Sequence, residues 1–499
     1  MNCGEFNKEI RREKNKTIQK LKYLNLNLML KRLLKNTGIY VVVSFFSQTL
    51  IFFLWAVLAR WLPPEQIGIY VLAMFVIDFF SAVSIFGLDA AITRFYYAKE
   101  GIASIFNNAF LVFLIAASLC LILFWSVAGM ISSIIPSIGN IIFENLILFS
   151  ALIFVNSFFN FILAHYTALK KAGDYAKLQF LKTLIFSIFA ITLIRLGYGI
   201  LGVFCALFFS FLPFLFLFLI KEKGLLSYGG ISMAVTKKIT FYGFPLMLYA
   251  AFGVLISYFS RLLLGGYADL ATLGIYSFFL MLTLQVNGFW GSFNRAWTPE
   301  VFSRFSEDKE KGISDVQFMI FFSSFIYLIG LAFLIIFGEL FLFKLIFKEI
   351  YLRNTNLFYI LLIGPLFTGI YTAAYPLYYY ENKTKKILAL SVILSLISIL
   401  FSLILIKNFS QQGAAVSYFL ISEIIAVVYI LAFKKAMSIP KKIINWTIFL
   451  SVLMAIAVVV LLKTEMPFLL LLFVIFGAIA AFIFGDLRKK IYILLSKAN

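Results

Sequence analysis

The 499 residues include three cysteines, one histidine and ten prolines, and only 13% of the chain is charged. Each scarcity removes a class of explanation. Cys3, Cys120 and Cys205 are scattered through a basic tail and two apolar runs, so neither a disulfide framework nor the paired spacing of a metal site is present. His165 has no cysteine or carboxylate cluster in its neighbourhood, which leaves a zinc centre and a Ser-His-Asp arrangement unsupported. No G-x-x-x-x-G-K-[ST] stretch is available to cradle ATP. Gly197-Tyr198-Gly199-Ile200-Leu201-Gly202 matches G-x-G-x-x-G, but in a short turn between two apolar runs and without the βαβ setting of a dinucleotide site. Charge falls far short of the roughly 25% of a soluble globular chain.

What is present is apolar. Hydrophobic residues make up 63% of the chain, and mean hydropathy is +1.00. Apolar blocks of about twenty residues, the length that crosses the hydrocarbon core, recur from end to end. They predict an all-α polytopic membrane protein with about fourteen transmembrane helices, near 38–60, 67–90, 105–129, 142–165, 179–196, 200–220, 243–266, 270–294, 316–339, 356–379, 387–407, 412–433, 443–462 and 467–485. Pro63-Pro64, Pro136, Gly265-Gly266, Gly413 and Pro467 punctuate the turns.

Basic residues orient the chain, because cytoplasmic loops retain Lys and Arg. With the amino terminus inside, 35 of the 43 Lys and Arg fall on the cytoplasmic side, and reversal would invert that ratio. Both termini are then cytoplasmic. The net charge of +21 reflects many short loops facing the inner leaflet, and its dispersion argues against a nucleic-acid partner.

The chain also repeats itself. ARWLPPEQIGIY (59–70) is similar to SRLLLGGYADLATLGIY (260–276), with Gly68 and Gly274 separated by 206 residues. LKKAGDYAK (169–177) is similar to YENKTKKI (380–387), and YGILGVFCAL (198–207) to FSQQGAAVSYF (409–419), where Gly202 and Gly413 are 211 apart. Near-constant offsets predict two parallel six-helix lobes about an axis along the membrane normal, enclosing a central cavity, with two helices added at the end. The expected division is a basic tail (1–36), an N-terminal lobe (37–220), a linker (221–242), a C-terminal lobe (243–434) and a terminal helix pair with a basic tail (435–499).

The stretch ARWLPPEQIGIYVLAMFVIDFFSAVSIFGLDAAITRFYY (59–97) resembles the first helical hairpin of Wzx-type oligosaccharide flippases, the polysaccharide-export branch of the superfamily that includes MATE multidrug exporters and MurJ-type lipid II flippases. The resemblance rests on Arg60-x-Leu62, Pro64-Glu65, Gly68-x-Tyr70, Gly87-Leu88-Asp89 and Arg94-Phe95. WTPEVFSRF (297–305) and GAAVSYFLISEIIAV (413–427) resemble later parts of the same family. It implies a MATE-like, V-shaped transporter that moves an undecaprenyl-pyrophosphate-linked repeat unit to the outer face of the plasma membrane of a bacterium or archaeon. Implied partners are the lipid-linked oligosaccharide, membrane lipids, and polysaccharide polymerase and chain-length proteins. It implies no cofactor and no enzymatic activity. A cation-coupled drug exporter and a membrane-embedded polymerase or glycosyltransferase are the competing classes. The first favours acidic over basic cavity residues, and the second a large outer loop, which this chain lacks.

Charged and amide residues inside apolar runs are the candidate site, since each needs a partner or a wet cavity. Arg261 lies one or two turns from the outer end of its helix, so it either snorkels to headgroups or faces the cavity, where its fork suits pyrophosphate. Arg60 is its repeat mate, with a turn salt bridge to Glu65 as the structural alternative. Asn156 and Asn160 share a helix face, and Gln285 and Asn287 add amides. These four either bond neighbouring helices or contact sugar hydroxyls. Asp78 and Glu423 are candidate coupling carboxylates, with packing against Gln48 or Tyr418 as the alternative. Asp89 and Arg94 read as a cytoplasmic gate or capping network. Tyr375 and Tyr378-Tyr379-Tyr380 read as an aromatic belt.

Overall fold

The computed structural model describes residues 43, 45–95, 101–134, 136–169, 171–221, 231–307, 309–380, 384–433, 441–464 and 466–484. The expected tails, residues 222–230 of the linker and Lys383 lie outside these residues, as do the side chains of Tyr375 and Tyr378-Tyr379-Tyr380. The described residues are helical and contain no strand. In chain order the helices are α1 (Phe45–Trp61), α2 (Pro64–Ile85), α3 (Leu88–Phe95), α4 (Ile102–Ile134), α5 (Pro136–Glu144), α6 (Leu146–Ala168), α7 (Ala172–Arg195), α8 (Gly199–Lys221), α9 (Met233–Tyr267), α10 (Leu270–Glu307), α11 (Lys309–Phe337), α12 (Phe343–Ile346), α13 (Glu349–Leu352), α14 (Thr355–Tyr380), α15 (Thr384–Phe433), α16 (Lys441–Thr464) and α17 (Pro467–Phe484). A single π-turn over Gly338–Leu342 joins α11 to α12.

Eleven helical segments are long and apolar enough to cross a membrane, and Phe45–Trp61 and Leu469–Phe482 are shorter apolar helices. One of the eleven, Ala389–Ala432, is two expected spans in a row: α15 carries non-helical backbone at Ser410 (φ 50°, ψ −129°). Counting that segment twice recovers the expected fourteen. Boundaries differ where polar residues extend a helix beyond its apolar window. Helix α9 starts at Met233 instead of 243, and α10 runs on to Glu307 instead of 294. In contrast, the expected span 67–90 breaks at Phe86 (φ 54°) and Gly87 (φ 66°), which separate α2 from α3.

Helix α2 is the hub. It packs on α6 and α4 in the first half of the chain and on α9 and α10 in the second. Pro64 opens it at the first helical position, where its missing N–H costs nothing. Four residues on, Gly68 lets the α10 backbone approach: a Cβ there would strike the Leu270 carbonyl oxygen, and one at Gly274 would overlap the Pro64 carbonyl. Pro64 and Leu270 are separated by the same 206 residues as Gly68 and Gly274, so the repeat mates cross each other symmetrically. In lipid no hydrophobic force drives helices together, and small residues that permit close backbone packing take its place.

At the opposite, basic end, side-chain contacts are added to a second close approach of backbones. Asn108 of α4 is fully buried. Its Oδ1 accepts from the Ser232 backbone N–H at 2.9 Å and from the Thr236 hydroxyl at 2.7 Å, so a first-half residue caps the start of α9. The Arg94 guanidinium sits 4.6 Å from the Tyr242 ring centroid, and Lys238 sits 4.7 Å from that of Phe95. Gly87 meets the Gly243 carbonyl, and Gly243 meets that of Phe86. Helices α16 and α17 lie against α14, α15 and α11, within the second half.

Candidate functional site

Arg261 is buried, with 8% of its surface exposed. It lies six residues before the end of α9, about 9 Å along the axis at 1.5 Å per residue. Its guanidinium rests 3.9 Å from the centroid of the Tyr258 ring, one turn earlier on the same helix face. Such a cation–aromatic contact contributes about 0.5–2 kcal/mol, more when desolvated. Nη2 donates to the Ser257 carbonyl at 2.8 Å. Nε is shielded from solvent and has no acceptor among the described residues, so one edge of the fork is uncommitted.

Tyr258 links this cation to a carboxylate. Its hydroxyl donates to Asp78 Oδ2 at 2.7 Å, joining α9 to α2. Arg261 and Lys182 are both within electrostatic reach of Asp78, and Asn156 is beside it. Asn156 donates to Ser81 Oγ at 3.2 Å, and Ser81 donates to the Ile153 carbonyl at 3.3 Å. Lys182 also lies 4.7 Å from the Phe211 ring. Asp78, Lys182 and Arg261 thus form a mixed-charge cluster that spans both halves, the pairing that intramembrane charges require.

On the other side of Tyr258 is a cavity of about 450 Å³ whose described lining comes from α9, α10 and α15. Arg261 is its one charged lining residue among those described; Ser257, Ser260, Ser398, Ser402, Ser417 and the Tyr258 and Tyr418 hydroxyls supply the polar surface. Ser402 and Ser417 bond across the break in α15 at 3.0 Å. Asn287 donates to Tyr418 at 2.6 Å, while its Oδ1 is buried without a partner among the described residues. The described lining of this cavity comes from second-half helices, and Asp78 of the first half is joined to it through the Tyr258 hydroxyl.

The other candidates are dispersed. Arg60 is exposed at the end of α1 and makes no ion pair with Glu65 among the described residues. Asn160 is exposed, and Gln285 turns back on the Met281 carbonyl at 3.0 Å. Glu423 is half-buried beside Ser451 of α16 and is not among the cavity lining. Its expected partners are engaged elsewhere: Tyr418 with Asn287, and Gln48 against Gly288. Asp89 is exposed, and Arg94 contacts Tyr242 at the basic end. His165 sits in an aromatic cage with Phe106, Phe218 and Tyr166. No group of three metal-ligating side chains occurs among the described residues. Sequence reasoning missed Tyr258 and Lys182. A tyrosine one turn before a buried arginine is a readable signal for the first; Lys182 was grouped with loop charges although apolar residues follow it.

Comparison with known proteins places this geometry. A profile of the family "Polysaccharide biosynthesis protein" matches residues 33–306. No curated protein sequence matches. Among solved structures, the lipid II flippase MurJ in an inward closed conformation is similar with TM-score 0.64 and 16% identity, covering 91% of this chain and 99% of that one. An inward-facing multidrug resistance transporter of the MATE family is similar with TM-score 0.63 and 17% identity, covering 81% and 98%. A MOP superfamily transporter from Pyrococcus furiosus, described by the reverse polarity of its binding pocket, gives 0.59 and 18%, covering 82% and 96%. These identities establish the fold alone. With more than half of its residues matched, this chain belongs to the polysaccharide biosynthesis protein family, on an all-helical membrane fold shared with lipid flippases and drug exporters.

Proposed function

We propose that the protein is a Wzx-type flippase that carries an undecaprenyl-pyrophosphate-linked saccharide from the cytoplasmic to the outer face of a bacterial or archaeal plasma membrane. Both termini are cytoplasmic, and residues 37–220 and 243–434 act as two lobes that rock about the site. The observation that carries this reading is the buried Arg261, which lines a hydroxyl-rich cavity and whose Nε has no acceptor among the described residues. A guanidinium binds phosphate oxygens through two parallel hydrogen bonds, and the serine and tyrosine hydroxyls suit a saccharide. The prenyl tail stays in lipid while the headgroup crosses.

A drug exporter on the same fold is the second reading. Asp78 favours it as an acidic group, but Tyr258 and the two nearby cations engage that carboxylate, and the cavity itself exposes only a cation. A transport assay in proteoliposomes with a fluorescent polyprenyl-diphosphate saccharide decides. Arg261→Ala is expected to lower the rate by about 10²-fold, the effect of removing a charge-assisted pair of about 2–3 kcal/mol. Arg261→Lys is expected to recover part of it, because lysine keeps the charge but loses the fork. Normal transport by both variants would refute the assignment.

A further inference from the structure

The charge balance of the cavity limits what its saccharide can carry. Of the described residues lining the 450 Å³ space, Arg261 alone is charged. Next to this lining, Asp78 accepts from the Tyr258 hydroxyl and Lys182 is within electrostatic reach of Asp78, so these two charges offset one another. A diphosphate diester is dianionic, so the phosphate link already exceeds what one guanidinium can neutralise. Any further anion on the headgroup would face serine and tyrosine hydroxyls and the apolar side chains of Leu280, Leu284 and Ile421. A desolvated charge without a counter-ion costs several kcal/mol, whereas sugar hydroxyls find partners in the same lining: each hydroxyl both donates and accepts.

We infer that the cavity selects saccharides whose sugars near the phosphate are uncharged, and discriminates against hexuronates and other acidic sugars at those positions. This rests on the flippase reading above. The selectivity is electrostatic and not steric, because a carboxylate and a hydroxymethyl group at the same ring carbon differ little in size.

The test compares two synthetic polyprenyl-diphosphate trisaccharides in proteoliposomes of the full chain. They are identical except that the second sugar is a hexose in one and the matching hexuronic acid in the other. The neutral substrate is expected to cross at least about tenfold faster, the factor that about 1.4 kcal/mol of unpaired charge produces. Ser398→Lys, which places a second cation at a half-buried lining position, is expected to narrow the ratio by speeding the acidic substrate. Equal rates for the two substrates in the wild type would overturn the selectivity while leaving the flippase reading intact. Transport of neither would overturn the flippase reading itself. If Ser398→Lys does not fold, the wild-type ratio decides alone.

Discussion

The two ends of the contact between the halves of the chain share close backbone packing and differ in what is added to it. At the end where α1 turns into α2, the Gly68 and Gly274 positions bring main chain against main chain, in a crossing that relates repeat mates. At the basic end the Gly87 and Gly243 backbones also meet closely, and Asn108, Arg94, Lys238 and Tyr242 add individual hydrogen bonds and cation–aromatic contacts to that packing. Packing of backbones is either made or lost as a whole, whereas separate polar contacts can be broken one at a time. The difference teaches that the basic end carries, beyond its backbone packing, contacts that single substitutions can remove.

The comparison breaks most severely at its tightest point. Gly274→Ala places a methyl on the Pro64 carbonyl, and the overpacking is expected to cost about 1–3 kcal/mol. Thermal unfolding of the purified protein checks this, and an unchanged midpoint would mean that the helices separate freely there. Next is Asn108→Ala, which strips the acceptor from the Ser232 N–H and the Thr236 hydroxyl, an expected loss of about 1–2 kcal/mol. Spin labels at positions 93 and 237 are expected to report a longer distance in this variant, and no change in Gly274→Ala. Tyr258→Phe sharpens the middle: the ring under Arg261 remains, the bond to Asp78 is lost, and a loss of about 0.5–1.5 kcal/mol in stability is expected, with anion binding by Arg261 retained.

The smallest effect is at Asp269, which caps α10 just before the crossing and accepts from the Thr272 N–H at 2.8 Å. The Thr272 hydroxyl first, and then that backbone bond, hold the carboxyl below its usual range. A folded-state pKa below the unfolded one means stability that is present at neutral pH and lost as pH falls through the folded value. Asp269→Ala is expected to cost about 0.5–1 kcal/mol at neutral pH, and to remove that contribution to acid sensitivity in a pH series of melting points.

Most of the fold was legible because a bilayer demands about twenty apolar residues per helix and leaves little freedom in how they are written. The amphipathic start of α9 was not, since Thr236, Lys237 and Lys238 lie outside any apolar window yet continue the helix. The break at Ser410 was legible, because Gln411, Gln412 and Gly413 mark a turn between two expected spans, although the backbone passes through it with little interruption of the helix. At the site, Arg261 and Asp78 stood out by the cost of burying charge. What joins them did not: Tyr258 is one of 25 tyrosines, and only its position between the two helices gives it a role. Glu423 had the same rarity as Asp78 but lies against α16, a partner that its own helix could not reveal.

A seal formed by peptide groups alone has no proton to gain and no counter-ion to attract. The glycine crossing should therefore hold in brine, whereas the arginine and lysine contacts at the far end weaken as salt screens them. Of the two ends, the basic one thus has contacts that its surrounding solution can loosen.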